Sequence, residues 1–363
     1  MKILLFGEYS GLFNCLKDGL VANGHDVFLA SDGNGFKNYP SDYRWDTKLP
    51  VGRFKRIFEI GKIFYEKKLF SGYDAVLLIA PTIFSHYRCF FEPVFNMLIN
   101  NNEKVFLSGA GMEAIGFNYW YASNEKYHNY VKGYFNDENP VTRKYGRAMY
   151  GNQKLMDWGY ELLDRINGYI PIWYEYAQPF RTHPKLKETI RIPINVSKYQ
   201  YKPNKVGDKI VFFHGIASRR TCKGTSFIVE AFDRMRAKYG DVAEFRAVGG
   251  LPFDEYMKLL DNTNVILDDA NSYSIAMNGL FSLAKGKIVM GGAEPVANAE
   301  LKLEYNPVYN LTPDVDQICD CIEDVIRRKE EIEAIGLQGR KFVEEYHDYR
   351  DVARKYVEVF NEG

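Results

Sequence analysis

Arg219, Arg220 and Lys223 stand together in one short turn of the chain. The apolar run Ile210 to Phe213 and the pair His214-Gly215 precede it, and an amphipathic run ending in Glu230-Ala231-Phe232 follows. A buried strand feeding a helix through a basic, glycine-bearing turn has the geometry to hold a diphosphate. The backbone approaches closely at glycine, the helix start offers N–H groups, and the cations supply charge. Fixed cations also stabilise a diphosphate leaving group most as negative charge builds on it. Lys223 and one of the two arginines are the candidates for this work; which arginine stays open. Gly215, at the strand end, would approach the phosphates through its backbone.

Two further stretches bear on the same site. AVGGLPFDEY follows a strand with Gly249 and Gly250, which either line a ligand pocket or form a tight strand-to-helix turn. NVIL ends in Asp268-Asp269, then Asn271-Ser272-Tyr273. Paired carboxylates can bind a cation, but without a DxD context they read as caps for the next helix and walls of the pocket, and no metal is expected. In SYSIAMNGLFSLAKGKIVMGG, the residues Tyr273, Ser274 and Asn278 follow a strand end, whereas Phe281 shares a row with Leu280 and Ala284 that suits the sheet-facing side.

From Lys209 to Gly292 these elements resemble the nucleotide-sugar half of GT-B glycosyltransferases, in particular the retaining group 1 family (family 4) that includes many polysaccharide-building enzymes. The likeness covers most of the C-terminal half. It implies an α/β architecture of two Rossmann-like domains facing each other across a cleft. It also implies hexosyl transfer from a nucleotide diphosphate sugar, held without a metal cofactor, to a carbohydrate or lipid-linked acceptor in surface polysaccharide synthesis. On this resemblance Arg219 or Arg220 with Lys223 hold the diphosphate, Gly249 and Gly250 line the nucleotide pocket, and Tyr273 to Asn278 face the donor sugar. Members commonly carry two glutamates eight apart before a small-Gly-Lys turn. Counting back from Gly286, those positions hold Tyr273 and Phe281 here. Ser272, Ser274, Asn278 and Ser282 would then take over the polar work. Retention at the anomeric carbon is implied, while the absence of both glutamates leaves the stereochemistry open. Two alternatives share the fold: a nucleotide-sugar epimerase, which needs no acceptor, and a non-catalytic binder of sugar or nucleotide.

The N-terminal half supplies the candidate acceptor groups. Glu8 in FGEYSG, Glu113 after Ser108-Gly109-Ala110-Gly111, and Glu175 in IWYEY all follow strand ends, where an open parallel sheet places residues toward a ligand. Glu8 and Glu175 are the candidate bases for an acceptor hydroxyl, and His86 is a further one. Each also reads as an ordinary cap or packed residue.

Strands alternating with helical stretches position these groups. KILLF, HDVFLAS, YDAVLLIAP, KVFLSGAG and GYIPIWYEY read as buried parallel strands, as do KIVFFHG, AEFRAVGG, NVILDD and KIVMGG. The first turn is not GxGxxG, which argues against a dinucleotide cofactor. Residues 117–159 are rich in Tyr, Asn and Lys and read as an insertion or flap beside the cleft. Pro193, Pro203 and Gly207 mark the domain boundary. The reading is an acceptor-side domain over 1–199 and a nucleotide-sugar domain over 200–344, with the helix 345–363 packing back on the first. VGRFKRIFEIGKIFYEKKLF reads as a sheet-covering helix with a basic outer face, although the same stripe would suit anionic lipid.

Composition excludes several classes. The 363 residues carry 47 basic and 47 acidic side chains, so no global field recruits nucleic acid. The first segment is too short for a secretory core, and no run approaches the length of a bilayer span. Five cysteines in odd count and wide spacing suit reduced thiols. The expected location is therefore the cytoplasm, with room for peripheral contact at the inner membrane face.

Overall fold

All nine strands expected from the sequence are present, and two short edge strands join them. The computed structural model describes residues 1–50, 52–83, 87–216, 219–250 and 253–362. In chain order the first elements are β1 (Lys2–Phe6), α1 (Leu12–Ala22), β2 (Asp26–Ser31), β3 (Tyr43–Arg44), α2 (Arg53–Tyr65), β4 (Ala75–Leu78), α3 (Arg88–Asn100) and β5 (Lys104–Gly109). Next come α4 (Ala114–Ala122), α5 (Tyr127–Asn136), α6 (Pro140–Met149), α7 (Gln153–Arg165), β6 (Gly168–Pro171) and α8 (Tyr174–Ala177). The remainder is β7 (Ile210–Ile216), α9 (Thr225–Tyr239), β8 (Ala243–Gly249), α10 (Phe253–Asp261), β9 (Val265–Leu267), α11 (Met277–Ala284) and β10 (Ile288–Gly291). It closes with α12 (Pro295–Glu300), β11 (Tyr309–Asn310), α13 (Val315–Arg327), α14 (Ile332–Tyr346) and α15 (Tyr349–Glu362).

These elements form two units. The first takes Met1–Asn118, Met149–Asn195 and the C-terminal helix from Tyr349; the second takes Tyr119–Ala148 and Val196–Asp348. The sequence reading put the boundaries after residues 199 and 344; the units part after Asn195 and Asp348. Residues 119–148 belong to the second unit and are helical. The physical reason lies in the tyrosines: Tyr127, Tyr130, Val131 and Tyr134 are buried at i, i+3, i+4 and i+7. They form an apolar stripe as surely as leucines would.

In the first unit the sheet order is β3-β2-β1-β4-β5-β6, with every pairing parallel. Its central strands β1 and β4 read Ile-Leu-Leu-Phe and Ala-Val-Leu-Leu, all buried. Such uninterrupted apolar runs are what a sheet covered on both faces requires. The strand β6 ends at Pro171, and the YEY of IWYEY turns into α8 instead of continuing the strand. Helix α15 lies against α1 so closely that a Cβ on Gly19 would stand 2.0 Å from the Tyr349 carbonyl oxygen. The ring of Phe360 also packs on Phe106. Helix α2 does not behave as a sheet cover: it buries only Glu59 and Ile63 and turns its aromatic stripe outward.

In the second unit the order is β11-β10-β9-β7-β8, again parallel throughout. Ile210, Phe212, Val265, Leu267, Ile288 and Met290 from the strands meet Ile228, Phe232 and Met235 of α9 and Ile318, Ile322 and Val325 of α13 in one core. The order reverses between β7 and β9. In open sheets of this kind, ligands bind outside the carboxyl ends of the strands at that reversal.

Candidate functional site

Strands β7 and β9 end side by side at the reversal, with His214 in register with Leu267. The His214 imidazole is fully buried there. Its Nδ1 lies 2.7 Å from the Leu267 carbonyl and its Nε2 3.0 Å from Thr225 Oγ1. A carbonyl only accepts, so Nδ1 carries the proton and Nε2 accepts from the threonine hydroxyl at the start of α9. Burial lowers the imidazole pKa to about 4, keeping the ring neutral. His214 therefore ties β9 to the start of α9 through its side chain.

Lys223 completes the centre. Its Nζ lies 2.8 Å from Asp268 Oδ1, with the lysine side chain 18% exposed and the aspartate 3%. Burial alone would lower the lysine pKa, but Asp268 and Asp269 outweigh it and hold the ammonium above its ordinary value. Asp268 is pushed up by burial and pulled down further by Lys223, and it stays ionised. Its Oδ2 is buried without a hydrogen-bond partner among the described residues. Asn278 Nδ2 lies 3.5 Å from Asp268 Oδ1, and Asn278 Oδ1 accepts from the Tyr256 hydroxyl at 2.6 Å. Tyr256 of α10 gave no signal in the sequence. Its ring explains Gly215, because a Cβ there would stand 2.8 Å from Tyr256 Cε2. The glycine thus makes room for an aromatic ring at the strand end.

The two arginines have partners in the inserted helices. Arg219 Nη1 donates to the Tyr134 hydroxyl at 2.8 Å, and Arg220 pairs with Glu138 at 2.6 Å on an exposed rim. Next to them the Thr221 backbone N–H donates to Asp137 Oδ2 at 3.0 Å. Gly133 rests on the backbone of Cys222, 2.6 Å from a built Cβ, so only glycine fits at this crossing. From the other side, Asn271 Nδ2 donates to the Cys222 carbonyl and the Ala270 N–H donates to the Lys223 carbonyl. The basic turn is held from both sides, which fixes Lys223 without using the lysine head for the purpose.

Of the two positions where the resembled motif carries glutamates, Tyr273 faces the same insertion. Tyr273 is buried, its ring packed on Trp120 and Tyr127 and its hydroxyl donating to Glu125 at 2.7 Å. Phe281 is buried and stacks on Tyr199 with centroids 4.5 Å apart. Ser274 is buried beside Ala293 in a single antiparallel bridge. Asn278 remains half-buried in the Lys223–Asp268 network. Gly249 and Gly250 are exposed at the end of edge strand β8, with Gly250 at φ +73°. Asp269 accepts the N–H groups of Asn271 and Ser272, as a turn-forming carboxylate does. Among the described residues no group of three or more His, Cys, Asp or Glu side chains converges as a metal site would require.

The carboxylates of the first unit are occupied differently. Glu8, at the β1–α1 turn, is buried, and its two oxygens accept the N–H groups of Gly11 and Asn14 and the Asn14 amide. Burial raises its pKa. Glu113 accepts the N–H groups of Ile115 and Gly116 at the start of α4. Burial among Pro81, Leu107, Leu163 and Phe180 lifts its pKa to about 7. Glu175 is wholly buried in the first turn of α8. Glu8 and Glu113 sit at helix starts, where a carboxylate satisfies backbone donors. The sequence-based expectation for His86 falls outside the described residues.

No protein-family model matches the chain, and no curated protein matches it in sequence. Solved structures do match in fold. Sucrose-phosphate synthase from Thermosynechococcus elongatus aligns over 100% of this chain and 99% of its own at a TM-score of 0.65 and 11% identity. HepE from Anabaena, solved in complex with UDP-glucose, aligns over 100% of both chains at 0.62 and 12% identity. The UDP-GlcNAc 2-epimerase from Neisseria meningitidis, bound to UDP-GlcNAc, aligns over 100% of both chains at 0.53 and 12% identity. The chain has the GT-B glycosyltransferase fold, with one parallel Rossmann-like sheet in each unit.

Proposed function

We propose that this protein transfers a sugar from a nucleoside diphosphate sugar to a saccharide or lipid-linked acceptor, as an enzyme of surface polysaccharide synthesis. The observation that carries the reading is Lys223, a partly reachable cation fixed at the strand reversal of the second unit. HepE, which shares the fold, was solved with UDP-glucose, and that supports a UDP-sugar donor here. Lys223 takes the donor diphosphate while Asp268 keeps its ammonium charged and aimed. As the sugar–oxygen bond breaks, negative charge gathers on the leaving diphosphate and the fixed cation stabilises it. Asn278 and Ser274 supply uncharged polar groups near the donor sugar, and Gly249 and Gly250 border the nucleotide. The diphosphate needs no divalent metal, because the two carboxylates at the strand end are engaged by Lys223 and by backbone N–H groups.

The test is thermal: UDP, GDP, ADP and CMP, alone and as their sugars, are titrated in EDTA, where a bound nucleotide raises the melting temperature by mass action. A shift with a diphosphate in EDTA is expected. No shift with any of them, or one restored only by metal, overturns the site. An epimerase neighbour also shares the fold, so donor conversion without any acceptor is assayed beside transfer. Conversion alone selects the epimerase reading, and binding with neither activity selects a non-catalytic binder.

A further inference from the structure

Helix α2 is built inside out for a soluble protein. Phe54, Ile57, Phe58 and Tyr65 are 83%, 56%, 61% and 86% exposed, and Phe64 and Leu69 extend the same region. The spacing 54, 57, 58, 65 places them on one face of the helix. The opposite side buries Ile63 and, unusually, the carboxylate Glu59. Lys55 and Arg56 both reach Glu59, and Lys62 Nζ donates to the Arg44 and Asp46 carbonyls. Arg53, Lys67 and Lys68 remain exposed at the two ends of the stripe. Six cations thus accompany two carboxylates, Glu59 and Glu66, between residues 53 and 69, in a chain whose formal net charge is zero.

Water disfavours each of these exposed rings, and soluble proteins rarely leave so many together on one face. An interfacial helix has the opposite need: aromatic and aliphatic groups that enter the acyl boundary, with lysines and arginines at headgroup level. We propose that this face of α2, with Leu69 and the Lys67-Lys68 pair, docks the protein on an anionic lipid bilayer. Charge complementarity selects this occupant. The apolar stripe faces outward, its flanking charges are positive, and the Glu59 carboxylate is turned inward, away from an anionic surface. The surface lies in the first unit, and its lipid binding is independent of nucleotide-sugar binding.

The experiment is co-sedimentation of the full chain with phosphatidylcholine vesicles, with and without one-third phosphatidylglycerol. Wild type should pellet with the anionic vesicles and weaken as salt is raised. Phe54→Asp/Phe58→Asp should lose roughly tenfold or more of that binding, since both contacts needed for insertion are gone. Both side chains are exposed, so the melting temperature of this variant should match wild type, and circular dichroism checks that it folds. Arg53→Glu/Lys67→Glu/Lys68→Glu should weaken binding to anionic vesicles alone. Failure of wild type to pellet with either vesicle overturns the proposal, as does undiminished pelleting of the Asp variant. A wild-type dimer that the Asp variant dissolves, without lipid binding, would assign the face to a second copy instead.

Discussion

The strand reversals of the two units start from the same topology and end in different chemistry. In the first unit β1 and β4 part with Glu8 at the turn, and that carboxylate is consumed by the backbone of α1. In the second, β7 and β9 part with Lys223 and Asp268 at the turn, and the pair keeps a partly exposed cation and one carboxylate oxygen without a partner among the described residues. Topology therefore fixes where a ligand could sit; the side chains left uncommitted decide whether one does. The second unit achieves this by holding its turn through other groups. Asp137, Asn271 and Gly133 secure the turn backbone, leaving the Lys223 ammonium to its pairing with Asp268.

The largest expected effect tests the Lys223–Asp268 pair. A turn lysine reads from sequence as a residue with few packing contacts, yet here it neutralises a buried carboxylate. Lys223→Ala should cost about 3–5 kcal/mol of stability, because it strands Asp268 without its partner. Under the proposed function it should also remove about 2–4 kcal/mol of transition-state stabilisation from transfer. The double variant Lys223→Ala/Asp268→Asn separates the two effects. Chemical denaturation should show most of the stability regained, while the rate stays low. Recovery of the rate with the stability would assign Lys223 to folding alone.

The next effect concerns pH, and the two units respond with opposite sign. His214 has a folded pKa of about 4 against an ordinary 6.5, so only the unfolded chain binds the proton between those values. Stability from this group is lost as pH falls from 6.5 toward 4, on the order of 3 kcal/mol in total. Glu113 is shifted up, from 4.5 to about 7, so its contribution is full below pH 4.5 and is lost as pH rises through 7. His214→Gln should therefore flatten the acid loss, and Glu113→Gln should flatten the loss toward neutrality. Urea midpoints across pH 4 to 8 for the two variants and wild type check both signs. An identical pH slope in all three would break the comparison.

The clamp on the basic turn should give a smaller effect. Asp137→Ala removes the carboxylate that holds the Thr221 N–H and should cost about 1–2 kcal/mol of stability. Under the proposed function it should also weaken donor binding by loosening Lys223. A donor titration by thermal shift would show the change, and unaltered affinity would mean that the insertion only packs.

The sequence revealed the sheets because buried parallel strands must be apolar throughout; eight such runs are plain in it, and the edge strand β8, with Glu244 and Arg246, reads as a strand by alternation. It did not reveal β3 and β11, since a two-residue edge strand has no run to recognise. The insertion's ownership was hidden because the grip of Asp137 on Thr221 spans 84 residues of chain. Its helices were hidden because tyrosine stripes resemble polar loops until their rings are counted as apolar. Tyr256 was silent for a related reason: its partner Gly215 reads as a phosphate-approach glycine, and only coordinates distinguish that from a glycine making room for a ring. The basic turn was legible as three cations after an apolar strand, but their partners Tyr134, Glu138 and Asp268 were not, since each lies at least 45 residues away in the chain.

Glu8 gives the smallest expected effect and the sharpest contrast. A carboxylate just beyond a parallel strand is also just before a helix, so an acceptor base and a helix cap leave the same mark in sequence. The geometry favours the cap, since both Glu8 oxygens are taken by Gly11 and Asn14. Glu8→Ala should then cost about 1–2 kcal/mol, the usual worth of a lost N-terminal cap. The transfer rate per folded molecule should stay within about threefold of wild type, far from the 10²–10⁴ that loss of a general base brings. Melting curves give the first quantity, and initial rates well below the melting temperature give the second. A rate loss of a hundredfold with an unchanged melting temperature would make Glu8 the base.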